Sequence, residues 1–168
     1  KEQPKNPFSS YQWSLLVSAI RQIKENALND SSTPDYHLSI SDTSSSSLLK
    51  STKSFHITRN EVLQTLEKGF FPKVSPGQKP KEALGGIREW GLCYPQDTAI
   101  SRYLADFLND KTIDCVLFAG GSFAPKALRQ MALNVLRNLQ TKPVLELETP
   151  DLQFSVAKGG SICRLWQT

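Results

Sequence analysis

The sequence predicts an α/β chain in two unequal parts, and three observations carry that prediction. Residues 114–136, DCVLFAGGSFAPKALRQMALNVL, read as a buried strand, a two-glycine turn and an amphipathic helix. Residues 143–147 supply another short strand, which pairs in parallel with 113–119, the two flanked by helices. Upstream, Tyr36, Leu38 and Ile40 alternate with polar residues and are followed by Phe55-His56-Ile57, the pattern of a β-hairpin with one wet face. The outer part, 1–74, is expected to hold helices and the hairpin. The inner part, 75–168, carries the strand, the glycine turn and the helix.

In chain order, Pro7 to Ser10 prepare a helix in which Trp13, Leu16, Val17, Ile20, Ile23, Ala27 and Leu28 share a face. Arg21, Lys24, Glu25 and Asn26 mostly lie opposite. Residues 29–34 break that helix, and the strand at 36–40 leads into a serine-rich stretch, 41–47, and a second extended run through Leu48, Leu49 and 55–57. Thr58-Arg59-Asn60-Glu61 has capping-box spacing: Thr58 accepts from the N–H three residues on, and Glu61 returns the bond. The helix it opens carries Val62, Leu63 and Leu66 and is expected to stop at Gly69. Residues 70–80, with Pro72, Pro76, Gly77 and Pro80, are the expected flexible connection.

Beyond that connection a short helix is expected near 81–90. A longer one near 98–109 turns Ile100, Tyr103, Leu104, Phe107 and Leu108 inward. Cys115, Val116, Leu117, Phe118 and Ala119 form a continuous apolar run, as in a strand covered on both faces. After the glycines, Ala127, Leu128, Met131, Ala132, Val135, Leu136 and Leu139 make a stripe facing the sheet, while Lys126, Arg129, Gln130, Asn134 and Arg137 face outward. Ser122 is placed as a cap or polar contact. A last helix, 152–166, contains the small residues of 155–161, which allow close packing.

Composition narrows the function classes. The 168 residues are 39% hydrophobic, enough for the core of one ordinary domain or of two small ones. Twenty basic and sixteen acidic residues interleave to a net +4, too mild a surplus to imply nucleic acid and explained by a solvated surface. Cys93, Cys115 and Cys163 lack paired spacing for zinc or a redox motif and are expected as reduced, buried thiols. No apolar run approaches the roughly 20 residues of a membrane span, and KEQPKNPFSS has no signal-peptide core. A cytoplasmic protein without a membrane partner is expected. The chain starts at Lys1 and contains one Met, as an excised piece of a longer polypeptide would.

Self-contained catalytic machinery is missing from the pattern. His37 and His56 sit on the hairpin without Cys or Asp at nucleophile or ligand spacing, and read as surface or cross-strand side chains. Neither a P-loop nor a nucleophile elbow occurs, and Asp97 and Asp114 read as helix-start and strand-end residues. The glycine turn carries the functional expectation. Gly120 and Gly121 permit positive φ and remove the Cβ that would block a ligand. A strand end facing a helix start offers unpaired N–H groups and the positive end of a helix dipole to a phosphate or nucleotide. By itself Gly-Gly-Ser fits a tight turn that binds nothing equally well.

The order of several motifs resembles a known family. A helix with Lys24-Glu25, a hairpin, Ile57-Thr58-Arg59 opening a helix, a strand entering Phe118-Ala119-Gly120-Gly121-Ser122, and a closing helix with Val156-Ala157-Lys158-Gly159 resemble the second lobe of the seventy-kilodalton heat-shock chaperone ATPases, in the actin-like superfamily. Glu67-Lys68-Gly69-Phe70-Phe71-Pro72, IREWGLCYPQD at 87–97 and residues 100–108 look like a divergent bacterial branch of chaperone-like proteins.

The resemblance implies an actin-like ATPase lobe, one of two that close over ATP and magnesium. Neither an Asp-x-Gly-Thr segment nor a second glycine-rich phosphate loop occurs in the sequence. What carries over is the nucleoside end: Gly120, Gly121 and Ser122 fall on the motif that passes the adenosine and adjacent phosphate, and Lys24 on the helix lysine near the ribose or adenine edge. ATP or ADP with magnesium is thereby implied for the full-length parent, with nothing bound to this fragment and no catalysis by it alone. Gln153 stands where the family usually has an acidic residue, and Leu28 where a serine meets adenine. The implied partners are the remaining lobe and an exchange factor or client protein. Two alternatives stay open: a nucleotide-independent protein-interaction module, and part of a sugar kinase of the same superfamily.

Overall fold

A computed structural model describes residues 8–30, 32–41, 52–81, 96–149 and 151–165. The serine-rich tip, Leu48 and Leu49, the short helix near 81–90, Cys93 and most of IREWGLCYPQD lie outside them. Within them the chain is mixed α/β, with five α-helices and two sheets of two strands each. It divides into two compact units, Lys1–Gln64 and Thr65–Thr168.

In the first unit, helix α1, Ser10–Asn29, begins at a capping box. Ser9 Oγ accepts from the Gln12 N–H at 3.2 Å, and Gln12 Oε1 accepts from the Ser9 N–H at 2.9 Å. Gln12 is buried because its Nε2 also donates to the Ser41 carbonyl at 3.2 Å, which ties α1 to strand β1, Asp35–Ser41. Strand β2, Thr52–Thr58, pairs antiparallel with β1, setting His37 opposite His56 and Leu38 opposite Phe55. The period of two makes one face wholly polar, with Asp35, His37 and Ser39 beside Thr58, His56 and Ser54. Tyr36, Leu38 and the buried Ile40 point to the other face.

The expected apolar face of α1 divides lengthwise. Ala27 is buried and Leu16, Ile23 and Leu28 are half-buried, whereas Trp13, Val17 and Ile20 stay exposed. Helix α2, Arg59–Phe70, opens on the expected capping box: Thr58 Oγ1 accepts from the Glu61 N–H at 3.1 Å, and Glu61 Oε2 accepts from the Thr58 N–H at 2.8 Å. Arg59 Nε donates to the Ala27 and Asp30 carbonyls, satisfying acceptors at the end of α1. The helix does not stop at Gly69. It runs one residue further, because Gly69 lacks the positive φ of a left-handed cap.

The second unit is built on a βαβ segment: strand β3, Cys115–Leu117, a 3-10 turn, Gly121–Phe123, helix α4, Lys126–Leu139, and strand β4, Leu145–Leu147. The strands are parallel, as expected, with Cys115 opposite Leu145 and Leu117 opposite Leu147. The core is Phe71, Phe118, Ala132, Leu133 and Val135, with Leu108, Leu136 and Val144 beside it. Leu133, outside the predicted stripe, is the largest fully buried apolar side chain, 1% exposed. Gln140 was not legible as structural. Its amide donates to the Ile113 and Lys142 carbonyls and accepts from the Ile113 N–H at 3.0 Å, standing in for a strand partner.

Several expectations for this unit need correction. Residues 70–80 are a packed segment, not a flexible one: Phe71 is buried, the Pro72 carbonyl accepts from Ser101 Oγ at 2.8 Å, and the Gly77 N–H donates to the Ala105 carbonyl. On helix α3, Ile100–Phe107, the expected Ile100 and Leu104, with Leu108 after it, pack on the core, but Tyr103 and Phe107 are exposed, Phe107 at 64%, and Ser101 and Ala105 are buried in their place. Ser101 and Ala105 face the 70–80 segment, bonded to it through the Pro72 carbonyl and the Gly77 N–H. Among the described residues the β3–β4 sheet is covered on one face, with Val116 and Phe118 inward and Leu117 59% exposed. Cys115 and Cys163 are exposed thiols for the same reason, each lying on an uncovered side. Helix α5, Ser155–Leu165, presents Val156, Gly159, Gly160 and Ile162 to solvent, and a Cβ at either glycine would meet nothing within 4 Å. Close packing is therefore not their role among the described residues.

Leu133→Ala should destabilise the protein by about 2–5 kcal/mol, since the deletion leaves a cavity under α4. Phe107→Ala should change stability by less than about 0.5 kcal/mol. Urea unfolding of both variants checks the corrected burial.

Candidate functional site

The glycine turn begins where β3 ends. Gly120 has φ 89° and ψ 154°, a region that residues bearing a Cβ essentially do not enter. Its N–H donates to the Leu152 carbonyl at 2.7 Å, which fixes the direction in which the chain leaves the sheet. Phe118 and Phe123 then close on each other with ring centroids 4.9 Å apart. Their contact roots the turn in the core on both sides. A Cβ built on Gly120 or Gly121 meets no atom within 4 Å, so the turn is open rather than walled in by side chains. Among the described residues the Gly121 and Ser122 N–H groups make no hydrogen bond and remain available as donors.

The turn does not pass directly into α4. The 3-10 turn intervenes, and the residue capping α4 is Pro125, which offers no side-chain bond. Ser122 is thus not the helix cap. It is exposed, beside the two glycines. The free amides at the start of α4 are separated from the glycines by residues 122–125, so the donor set is spread along the chain.

Next to the turn lies a cleft of about 650 Å³, lined by Phe118, Arg129, Glu146, Leu147, Thr149 and Leu152 together with Glu148. It opens beyond the carboxyl ends of β3 and β4, where open α/β sheets hold their ligands. Arg129 organises it. Its Nε donates to Glu146 Oε1 at 2.9 Å, and its Nη1 donates to the Phe123 and Ala124 carbonyls, each at 2.7 Å. One planar fork thereby links α4, the glycine turn and β4. The sequence placed Arg129 on the outward face because helical period alone reports the sheet side, not what lies at the sheet's end. Thr149 Oγ1 donates to the Phe118 carbonyl at 3.2 Å, completing the rim.

The charges in this cleft are unbalanced. Arg129 is committed to Glu146, and Glu148 on the wall has no ion-pair partner among the described residues. Such a wall favours hydroxyl and amino donors, while an anion is better placed over the backbone donors of Gly121 and Ser122. Lys24, the remaining predicted site residue, is an exposed side chain of α1 in the first unit. Leu28 is half-buried on the same helix, and Gln153 is exposed just before α5.

A smaller cleft of about 470 Å³ surrounds Asp97, with Lys68, Lys81 and Arg102 on its walls. Its carboxylate is already served from within. Asp97 accepts from the Lys81 N–H at 2.7 Å, from the Ala99 N–H at 3.0 Å and from Arg102 Nη1 at 2.7 Å. These bonds, led by the two backbone N–H groups and then Arg102, hold its carboxyl down at about 2. Asp97 is the helix-start residue the sequence indicated, and its carboxylate occupies the place an external anion would take. Asp114, at the start of β3, is paired with Lys142.

Among the described residues no helix is long and apolar enough to cross a membrane, and no group of three or more His, Cys, Asp or Glu could hold a metal ion. No protein-family model, curated protein or solved structure matches the chain.

Gly120→Ala should cost about 1–3 kcal/mol of stability, because alanine cannot take this backbone conformation without strain. Gly121→Ala, without positive φ and with open space at its Cβ, should be close to neutral in thermal unfolding. The Asp97 carboxyl is lowered in the folded state, so its contribution is fully present above about pH 4 and disappears as pH falls through about 2. Urea midpoints measured from pH 5 down to about 2 should therefore fall less steeply for Asp97→Asn than for the parent chain.

Proposed function

We propose that this chain forms the adenosine-side wall of an ATP cleft in a chaperone-like protein of the actin-like superfamily, and that it does not hydrolyse ATP alone. The observation that carries the reading is the open glycine turn at the end of a parallel strand, with the Gly121 and Ser122 donors beside a cleft of about 650 Å³. In this reading the phosphate nearest the sugar lies over Gly120, Gly121 and Ser122. The ribose and base then lie against Phe118, Thr149 and Leu152, with Glu148 accepting from a hydroxyl or amino group. Lys24 is assigned to the ribose or adenine edge by the motif resemblance alone. Magnesium and the triphosphate tail belong to the remaining lobe, which supplies the charge stabilisation that phosphoryl transfer needs.

One wall cannot exclude water or hold a triphosphate on several sides. Affinity for ADP should accordingly be weak, with a dissociation constant of about 1 mM or above, equivalent to roughly −4 kcal/mol or less. NMR titration of the full chain with ADP should shift the amide resonances of Gly120, Gly121 and Ser122. Gly121→Asp should remove those shifts while leaving the fold intact, since its carboxylate repels phosphate and its Cβ has room. Shifts confined to other residues, or unchanged in the variant, would sink the proposal, as would steady phosphate release from this chain free of contaminating ATPase.

A specific observation favours a second reading, a protein-interaction module that does not use nucleotide. Trp13, Val17 and Ile20 form an uncovered apolar row on α1, and Tyr11 and Leu15 are exposed beside it. A folded chain that ignores ADP and ATP would support this second reading.

A further inference from the structure

We propose that the polar face of the hairpin binds a late first-row divalent cation, of the class Zn²⁺, Ni²⁺ or Cu²⁺, between the cross-strand imidazoles of His37 and His56. The two residues are direct partners in the β1–β2 register, and their ring centroids lie 4.9 Å apart with planes inclined at 52°. Two imidazoles holding one metal at about 2.0–2.1 Å, with an angle of about 90–110° between them, have centroids roughly 4.5–5.2 Å apart. The antiparallel ladder thus sets the spacing that chelation requires before any metal arrives. Imidazole nitrogen is a ligand that suits these metals.

Ring contact alone would explain the spacing, but not the charges gathered around the pair. Asp35 Oδ1 lies 3.7 Å from His56 Nε2. Such a carboxylate can orient the imidazole of a bound metal or become an oxygen ligand after a small rotation. Glu61 is a second neighbouring carboxylate: the Thr58 N–H and hydroxyl hold it below the usual range, and His56 adds to that effect. The remaining residues of the face, Ser39, Ser41, Thr52, Ser54 and Thr58, bring no cation. Both His56 and Asp35 are about half exposed, so a hydrated ion can reach them and their side chains can adjust.

The described residues contain no cage of three or more ligands. The site is therefore a two-imidazole chelate whose other positions hold water, a reversible site rather than one that folding depends on. This inference is independent of the nucleotide reading, since it concerns the first unit and a different chemistry.

The test uses the full chain with all three cysteines replaced by serine, because the exposed thiols of Cys115 and Cys163 would compete for the same metals. On adding NiCl₂, paramagnetic broadening should appear first in the resonances of 35–38 and 54–58. Calorimetry with ZnCl₂ should show binding weakened at least about tenfold by His37→Gln and, separately, by His56→Gln. Ser39→Ala, on the same face, should leave it unchanged. Affinity that survives loss of either imidazole, or broadening that begins elsewhere, overturns the proposal. Should a histidine variant unfold, the broadening pattern of the parent chain decides the question alone.

Discussion

The second unit depends on the backbone conformation of Gly120. At φ 89° and ψ 154° the chain turns out of β3 in a direction that residues with a Cβ do not follow, and the bond from its N–H to the Leu152 carbonyl locks that direction. What comes next is determined by it. Phe123 falls back onto Phe118, α4 descends over the sheet with Leu133 and Val135 in the core, and β4 returns parallel to β3. Arg129 makes the arrangement a single bonded structure by joining the turn's carbonyls to Glu146. The cleft beside the turn is the space these constraints leave at the sheet's end.

The same unit is apolar where it is not covered. A parallel sheet normally lies between two layers of helices, yet Leu117 and Leu145 are exposed on the outer side of β3 and β4. Exposed apolar side chains on a short parallel pair agree with a chain that supplies one wall of a larger structure.

Electrostatics separate the regions of the molecule by the ligand chemistry each favours. At the glycine turn the Gly121 and Ser122 N–H groups have no partner among the described residues, which suits one phosphate but not a chain of them. In the adjoining cleft the charge is negative once Arg129 is paired. Around Asp97 two backbone N–H groups and Arg102 serve the carboxylate, so that cleft holds its own anion. On the hairpin, carboxylates gather at a histidine pair, the arrangement suited to a cation. Each case follows from which polar groups are already committed to partners within the protein.

Local pattern in the sequence determined the elements. The apolar face of 13–28, the capping box at Thr58, the alternation at 36–40 and the apolar run ending in Gly120-Gly121 each involve neighbours a few residues apart, so α1, β1, α2 and the β3 turn were legible, and so was the parallel pairing with β4. Tertiary structure decided what those elements bury and bond. Periodicity identifies an apolar side but not whether anything covers it, which is why Leu117, Phe107 and Val156 lie exposed and Cys115 and Cys163 are not buried thiols. Arg129, Gln140 and Asp97 act through partners 17, 27 and 16 residues away. Such bonds have no local signature, because they exist only after folding has brought the ends of separate elements together.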